Sequence, residues 1–467
     1  MRLPFWTLAL LLAGCRLKSP PALDELVPQA LPATTIAEAW TAAPADTAAP
    51  LDGWIHSFGD SLLTALVSEA VANNTDLRAS LARVEQAAAS VRVAGGKLKP
   101  AVDGLAHGGL GLGGDGSGLN AALLQATWEL DFWGKIRYGR AAATETYGSR
   151  YLTYAFARRS LAAAIAKSWF LLTEGSLQVR LAREAATAAD SVVNLVLDRQ
   201  RVGQSNDQEV AIARADLFTY RDAIVRLEQA NAEAARALEV LLGRYPAGRL
   251  GGGVTLDSTP GAVPSGLPAA LLERRPDILA SERQVSAAFY RTREADAARL
   301  PSISLSASFG AVSSDLLALK EDFSNPLVGL GANLFAPLFR GGALKAQVDL
   351  RTAEQKEAMA NYGSVVLRAF SEVENALGAE TRLREREGLL QQIVTENARG
   401  VELGRVQYRV GRGDLLSVQQ LQLRLYSAQT SLLRIRSERL MQRVNLHLAL
   451  GGDFFIPPPD STTSAPR

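Results

Sequence analysis

The strongest constraint in this chain is where its prolines are absent. None occurs between Pro100 and Pro246, and none between Pro337 and Pro457. Both gaps are rich in Ala, Leu, Glu, Arg and Gln, all good helix formers, and they lack the one residue that breaks a helix. A helix over residues 135–200 would be about 100 Å long at 1.5 Å per residue. Globular helices are far shorter, so this spacing predicts extended coiled coil. Prolines crowd instead into the first 50 residues, the stretch 246–276, and single positions at Pro301, Pro326 and Pro337.

The gaps belong to a duplication. An offset of 201 relates Asn74-Thr75-Asp76-Leu77 to Arg275-Pro276-Asp277-Ile278, and Pro100 to Pro301. Ala79/Ala280, Ala87/Ala288 and Arg92/Arg293 match between them. Further along, Arg201-Val202-Gly203 matches Arg409-Val410-Gly411 at an offset of 208. The stripe Val210, Ala213, Leu217, Tyr220, Ile224, Leu227 then aligns with Val418, Leu421, Leu425, Ala428, Leu432, Ile435. Spacings of three and four alternate in both, the heptad seam of a coiled coil. The agreement runs without a gap to Leu242-Gly243 and Leu450-Gly451, which identifies a true internal repeat.

Between the helical stretches the period falls to two. Ile303, Leu305, Ala307, Phe309 and Ala311 alternate with serines and Gly310, and Val328, Leu330, Ala332 and Leu334 alternate with Gly329, Gly331 and Asn333. Such strands carry one apolar and one small, polar face. The equivalent first-repeat regions, 101–112 and 119–130, are weaker and glycine-rich, joined by a loop at 113–118 with no apolar content. Strands of this length suit a transmembrane barrel, although the strands alone fit a soluble sheet packed on helices equally well. Four strands cannot close a barrel. Two copies would give eight strands and a filled interior, whereas three give twelve and an open lumen. Trp128, Phe132, Trp133, Phe335 and Phe339 follow the strands, either as an interfacial aromatic girdle or as core at the strand-to-helix junctions.

The N-terminus favours the membrane reading. Arg2 precedes an apolar run of about nine residues, too short to span a bilayer and typical of a secretory signal. Leu12-Ala13-Gly14-Cys15 ends it with the only cysteine of the chain. That segment resembles a bacterial lipobox, in which the thiol is acylated and the preceding bond is cut. Arg16 and Leu17 include no aspartate at the second mature position, which by the same resemblance favours outer-membrane sorting.

Composition narrows the function classes. Fifty Lys and Arg face 48 acidic residues, a net charge of only +2, so no basic excess marks a nucleic-acid partner. The three histidines, His56, His107 and His447, have no catalytic-triad or metal spacing, and no glycine-rich phosphate loop opens a helix. Three methionines are too few for a metal relay. No cofactor and no enzyme activity is expected.

With these residues in place the resemblance becomes specific. The lipobox, the duplication, Trp128-Glu129-Leu130-Asp131-Phe132-Trp133-Gly134, Arg274-Arg275-Pro276-Asp277-Ile278 and Pro337-Leu338-Phe339-Arg340-Gly341-Gly342 resemble the outer-membrane efflux lipoproteins related to TolC. The similarity spans about residues 54–453. It implies a mixed α and β fold: a homotrimer whose twelve-stranded membrane β-barrel, four strands per chain, continues as a long periplasmic coiled-coil α-barrel. On that pattern residues 1–14 are the lipoprotein signal peptide, 15–60 an N-terminal extended segment and belt, and 61–245 the first repeat. Residues 246–268 are a linker and belt, 269–451 the second repeat, and 452–467 a Pro/Ser-rich tail.

The implied function is passive. Such a trimer is the exit duct for an inner-membrane RND-type pump, joined through a periplasmic adaptor (membrane fusion) protein and embedded in outer-membrane lipid. A type I secretion channel for polypeptides is the alternative on the same architecture. The resemblance makes Cys15 the lipidation site. It makes Arg201, Val202, Gly203, Ser205, Arg409, Val410, Gly411 and Asp414 the adaptor-docking tips, with Ser205 and Asp414 also expected as caps of the returning helices. It places Tyr408 and Leu416 at a periplasmic gate, with Gln420 where a carboxylate is common and Asp414 as its substitute.

Overall fold

The computed structural model describes residues 17–42, 48, 52–108, 120–256, 261, 263–313 and 327–454. Cys15 and the glycine loop at 113–118 lie outside the described residues. A short helix α1 (Leu23–Ala30) and a 3₁₀ turn (Trp54–Phe58) precede the first repeat. That repeat consists of α2 (Ser61–Asn73), α3 (Thr75–Gly96), β1 (Ala101–Gly108), β2 (Asn120–Leu130), α4 (Lys135–Arg201) and α5 (Asp207–Leu241). The second repeats it in order: α6 (Pro268–Arg274), α7 (Pro276–Ala297), β3 (Ser302–Ser313), β4 (Leu327–Phe335), α8 (Ala343–Arg409) and α9 (Leu415–Ala449). Both α4 and α8 run for 67 residues, and both α5 and α9 for 35. No described helix is long and apolar enough to cross a membrane.

The chain divides into two compact units. One comprises residues 1–34, 81–153 and 277–366, the other 35–80, 154–276 and 367–467. The first holds a four-stranded antiparallel sheet in the order β1-β2-β3-β4. The repeats meet at the β2–β3 pairing, where Leu130 lies opposite Ile303 and Leu124 opposite Phe309. Beside the sheet, α7 ties to the start of α4 through Arg283–Glu145 at 3.0 Å, Gln284–Ser149 at 2.7 Å and Arg291–Thr146 at 3.0 Å.

The second unit buries Trp54, Phe58, Leu63, Val67, Ile165, Trp169, Phe170, Leu238, Leu440, Val444 and Phe454 in one apolar cluster. Polar groups fix its edges. Asp60 caps α2 by accepting from the Leu62 and Leu63 amides, and its second oxygen accepts from Trp169 Nε1 at 2.7 Å. At the end of α5, the Glu239 carboxylate accepts from the amides of Gly248, Arg249 and Leu250 at 2.7, 3.0 and 3.2 Å. These donors hold its carboxyl below the usual carboxylate range.

The position 208 residues later is His447, which stacks on Trp54 with ring centroids 5.6 Å apart. The imidazole is 5% exposed, and burial followed by the Arg443 charge holds its pKa down to about 4. The folded value lies below the unfolded one. The neutral histidine therefore contributes stability fully above pH 6.5, and this is lost as pH falls from 6.5 towards 4, up to about 3 kcal/mol. The denaturation midpoint is expected to fall across that window, and His447→Phe to flatten the fall. An equally steep fall in the variant would assign the pH dependence elsewhere.

Candidate functional site

Two helical-hairpin tips and one sheet carry the residues of interest. The tips are built alike. In the first, the Gly203 amide donates to the Gln200 carbonyl at 3.0 Å and the Gln204 amide to Arg199 at 2.8 Å. In the second, Gly411 donates to Tyr408 at 3.1 Å and Arg412 to Gln407 at 2.9 Å. These are paired Schellman bonds, which need a residue in the left-handed region. Gly203 and Gly411 supply it with φ of 74° and 73°. Val202 and Val410 stand 69% and 62% exposed beside them, with Arg201 and Arg409 also on the surface.

The caps of the returning helices correct one expectation. Asp414 caps α9, accepting from the Ser417 amide and hydroxyl, both at 2.8 Å, and these bonds lower its pKa. In the first tip the cap of α5 is Asn206, not Ser205. Asn206 Oδ1 accepts from the Glu209 amide at 3.0 Å, while the Ser205 hydroxyl donates to the Glu209 carboxylate. The physical reason is register: residue 206 stands 208 before Asp414 and directly precedes α5, where its side chain reaches the amide three residues on.

Tyr408, Leu416 and Gln420 are not brought together. Tyr408 is 2% exposed in a cluster with Val196, Val210, Leu217, Leu415 and Val418. Arg199 packs over its ring at 4.5 Å and donates to its carbonyl at 2.8 Å, joining the two tips of one chain. Leu416 is 59% exposed, one residue out of step with the buried Leu415 and Val418. It shares an exposed face of α9 with Gln420, Leu423 and Ser427.

The sheet has two unlike faces, because residues directly opposite in an antiparallel pair point the same way. Register places Val102, Ala106, Leu124, Ala126, Trp128, Ile303, Leu305, Phe309, Val328, Leu330 and Leu334 on one face, wholly apolar. The other carries Asp103, Gln125, Thr127, Glu129, Ser302, Ser304, Ser306, Ser308 and Asn333, with Leu105, Leu123 and Phe335 among them. The apolar face is uncovered: Leu124, Phe309, Val328 and Leu330 are 55, 52, 71 and 86% exposed. Among the described residues β1 and β4 each pair on one side only. Trp128, Phe132, Trp133, Phe335 and Phe339 are 38–88% exposed, which excludes a core role within this unit.

The family model for outer membrane efflux proteins matches residues 66–244 and 267–452, one stretch per repeat. The pyoverdine export outer membrane protein OpmQ of Pseudomonas aeruginosa is 32% identical over 428 residues, covering 88% of this chain and 90% of that protein. The probable efflux pump outer membrane protein TtgC of Pseudomonas putida is 30% identical over 470 residues, covering 96% and 94%. A crystal structure of CusC has a TM-score of 0.80 at 26% identity, spanning 90% of this chain and 99% of that one.

Proposed function

This chain belongs to the outer membrane efflux protein family, and on that footing we propose that three copies form the outer-membrane exit duct of a tripartite efflux pump. The duct passes small molecules passively from an RND-type inner-membrane pump, reached through a periplasmic adaptor. One observation carries this reading. A sheet with a bare apolar face and two unpaired edges is a barrel segment, and three such segments close a twelve-stranded barrel with an open lumen. A host lacking the gene should retain the cargo of the companion pump, and the intact gene should restore export. A purified chain that stays monomeric in lipid and conducts no ions would overturn the proposal.

The tips are the adaptor-docking points in this reading. Arg201, Val202, Arg409 and Val410 offer it two exposed apolar side chains flanked by cations. Leu416 and Gln420 narrow the periplasmic entrance, since their face is the one α9 leaves bare, while buried Tyr408 braces the two tips. Threefold repetition turns Leu416 into an apolar ring able to dewet a pore. Leu416→Ala should raise open-state current or opening frequency in planar bilayers, and an unchanged closed channel would count against this placement.

Cys15 is the lipidated mature N-terminus. Its support is the position of the next described residues. The Lys18 amide donates to the Tyr138 hydroxyl at 3.1 Å, and a Cβ on Gly134 would stand 3.1 Å from Leu17 Cδ2. The described chain thus begins, at Leu17 and Lys18, beside the strand-to-helix junction. Cys15→Ala is expected to lose the lipid mass while the barrel still inserts. Mass spectrometry finding Met1 attached to an unmodified wild-type Cys15 would reject the assignment.

A further inference from the structure

We propose that residues Ala336, Pro337 and Leu338 continue β4 as a strand and pair with Gly104, Asp103 and Val102 of a second copy. The register is the one that β2 shows against β3 within the chain. The proposal rests on reading the sheet as one segment of a closed barrel, and it specifies how two segments join.

The duplication extends to the pairing of the strands. The offset of 201 relates Ala101 of β1 to Ser302 of β3, and the offset of 208 relates Thr127 of β2 to Phe335 of β4. Ala101 lies opposite Thr127 and Ser302 opposite Phe335, so the two hairpins share one register. The second offset holds beyond the strands. Gly134 and Gly342, 208 apart, have φ of 78° and 82°, and α4 and α8 each begin at the next residue. A seam between hairpins occurs once within the sheet, as β2 against β3. There β2 runs past its pairing with β1, and Trp128, Glu129 and Leu130 lie opposite Leu305, Ser304 and Ile303. The same two offsets carry these residues to Ala336, Pro337 and Leu338, and to Gly104, Asp103 and Val102. A repeated unit that stacks on its neighbour reuses one interface, so the in-chain seam is the pattern for the seam between copies.

Exposure marks both halves of that second seam. Leu130 and Ile303 lie opposite each other and are half-buried, whereas their equivalents Leu338 and Val102 are 95 and 70% exposed. Phe339, the next residue, is 88% exposed. Direction agrees, because three antiparallel pairings separate β1 from β4 and leave the two edges antiparallel to each other. Faces agree as well. Leu338 continues the alternation of Val328, Leu330, Ala332 and Leu334, and so falls with Val102 on the apolar face. A slip of one residue would oppose the two faces. A slip of four would bring Phe335 opposite Ala101 and leave Leu338 and Phe339 bare. Pro337 is admissible in the extension, because β3 begins opposite Phe335 and the strand is open on that side beyond it. The contact joins unlike edges, and such head-to-tail contacts close into rings. In a bilayer the pairing also satisfies backbone groups that hydrocarbon cannot.

Paired cysteines test the register in the full chain, on a Cys15→Ala background that leaves no other thiol. Residues directly opposite have Cα atoms about 4.5–5.5 Å apart, within reach of a disulfide, and a slip of two residues moves them to about 7–8 Å. Leu338→Cys with Val102→Cys should therefore cross-link between copies in isolated outer membranes under mild oxidation. Three closed seams give a covalent trimer on a non-reducing gel. Its yield should exceed that of Ala336→Cys or Leu334→Cys, each combined with Val102→Cys, by about fivefold or more. Leu130→Cys with Ile303→Cys is the in-chain counterpart, sets the reference yield and closes without a change of chain mass. A trimer formed best by the Ala336 or Leu334 combination overturns the register and leaves the barrel reading intact. No product between copies from any of the three, with the in-chain pair closed, overturns the register and the barrel together.

Discussion

Replacing Phe309 with arginine is expected to abolish outer-membrane insertion, and replacing the adjacent Ser308 with arginine to leave insertion intact. Phe309 lies mid-strand on the apolar face, opposite Leu124 on one side and Val328 on the other. A cation there faces hydrocarbon at a cost of about 2–4 kcal/mol near the midplane, incurred in every copy of an oligomer. Ser308 lies opposite Gln125 and Gly329 on the polar face, where an arginine meets water and narrows the lumen instead. The two variants differ in one strand position and so in nothing but the face they charge. Outer-membrane fractions should lack Phe309→Arg and retain Ser308→Arg at wild-type levels, the latter with slower export. Normal insertion of Phe309→Arg, or equal damage from both, would reverse the faces.

That contrast could be written from sequence because period two survives in β3 and β4 without reference to the rest of the fold. The long helices were legible for a similar reason. Helix propensity and missing prolines are local properties, and α4 and α8 run from 135 and 343 to the residue before Val202 and Val410. The glycine turns followed from one residue type with one conformational use. The 208-residue offset extends to the starts of the returning helices. It pairs Asn206 with Asp414 as caps, and Asn206 with Glu209 three residues later is also a capping-box pattern. Both signals pointed to Asn206 where Ser205 was expected.

Other parts depend on partners far away in sequence. Tyr408 occupies the last turn of α8, and its burial follows from Arg199 and Val196, some 200 residues earlier. Nothing within α8 marks which face of that turn meets another hairpin. Leu415 and Leu416 are equally apolar, so one step of helix phase decides which enters the seam and which stays bare. Glu239 gives no local sign of its role, because the amides it accepts lie in an irregular segment whose path no periodicity predicts. Local rules found the elements, and tertiary contacts chose the faces.

Arg275→Ala is expected to cost about 3 kcal/mol. Arg275 is 1% exposed, and its guanidinium donates to the Ala449 carbonyl at 3.1 Å and pairs with Glu372 at 2.7 Å. Ala449 ends α9, so the bond satisfies a terminal carbonyl that no helical amide reaches, at the negative end of the helix dipole. The first repeat solves the same problem without charge: Asn74 Nδ2 donates to the Leu241 carbonyl, the last of α5, at 2.9 Å. Glu372 remains half-exposed when its partner is removed, which keeps the loss below that of a fully buried pair. Arg275→Met fills the same volume without the charge, so a loss close to that of alanine would assign the effect to the ion pair and the cap. A near-normal Arg275→Met would assign it to packing beside Phe156, whose ring lies 5.9 Å away. Asn74→Ala should cost less, about 1–2 kcal/mol, because it deletes neutral hydrogen bonds to Leu241 and from the Leu77 amide. Denaturant titration of the four proteins gives the order directly, and a wild-type midpoint for Arg275→Ala would show that α9 holds its end without help from the arginine.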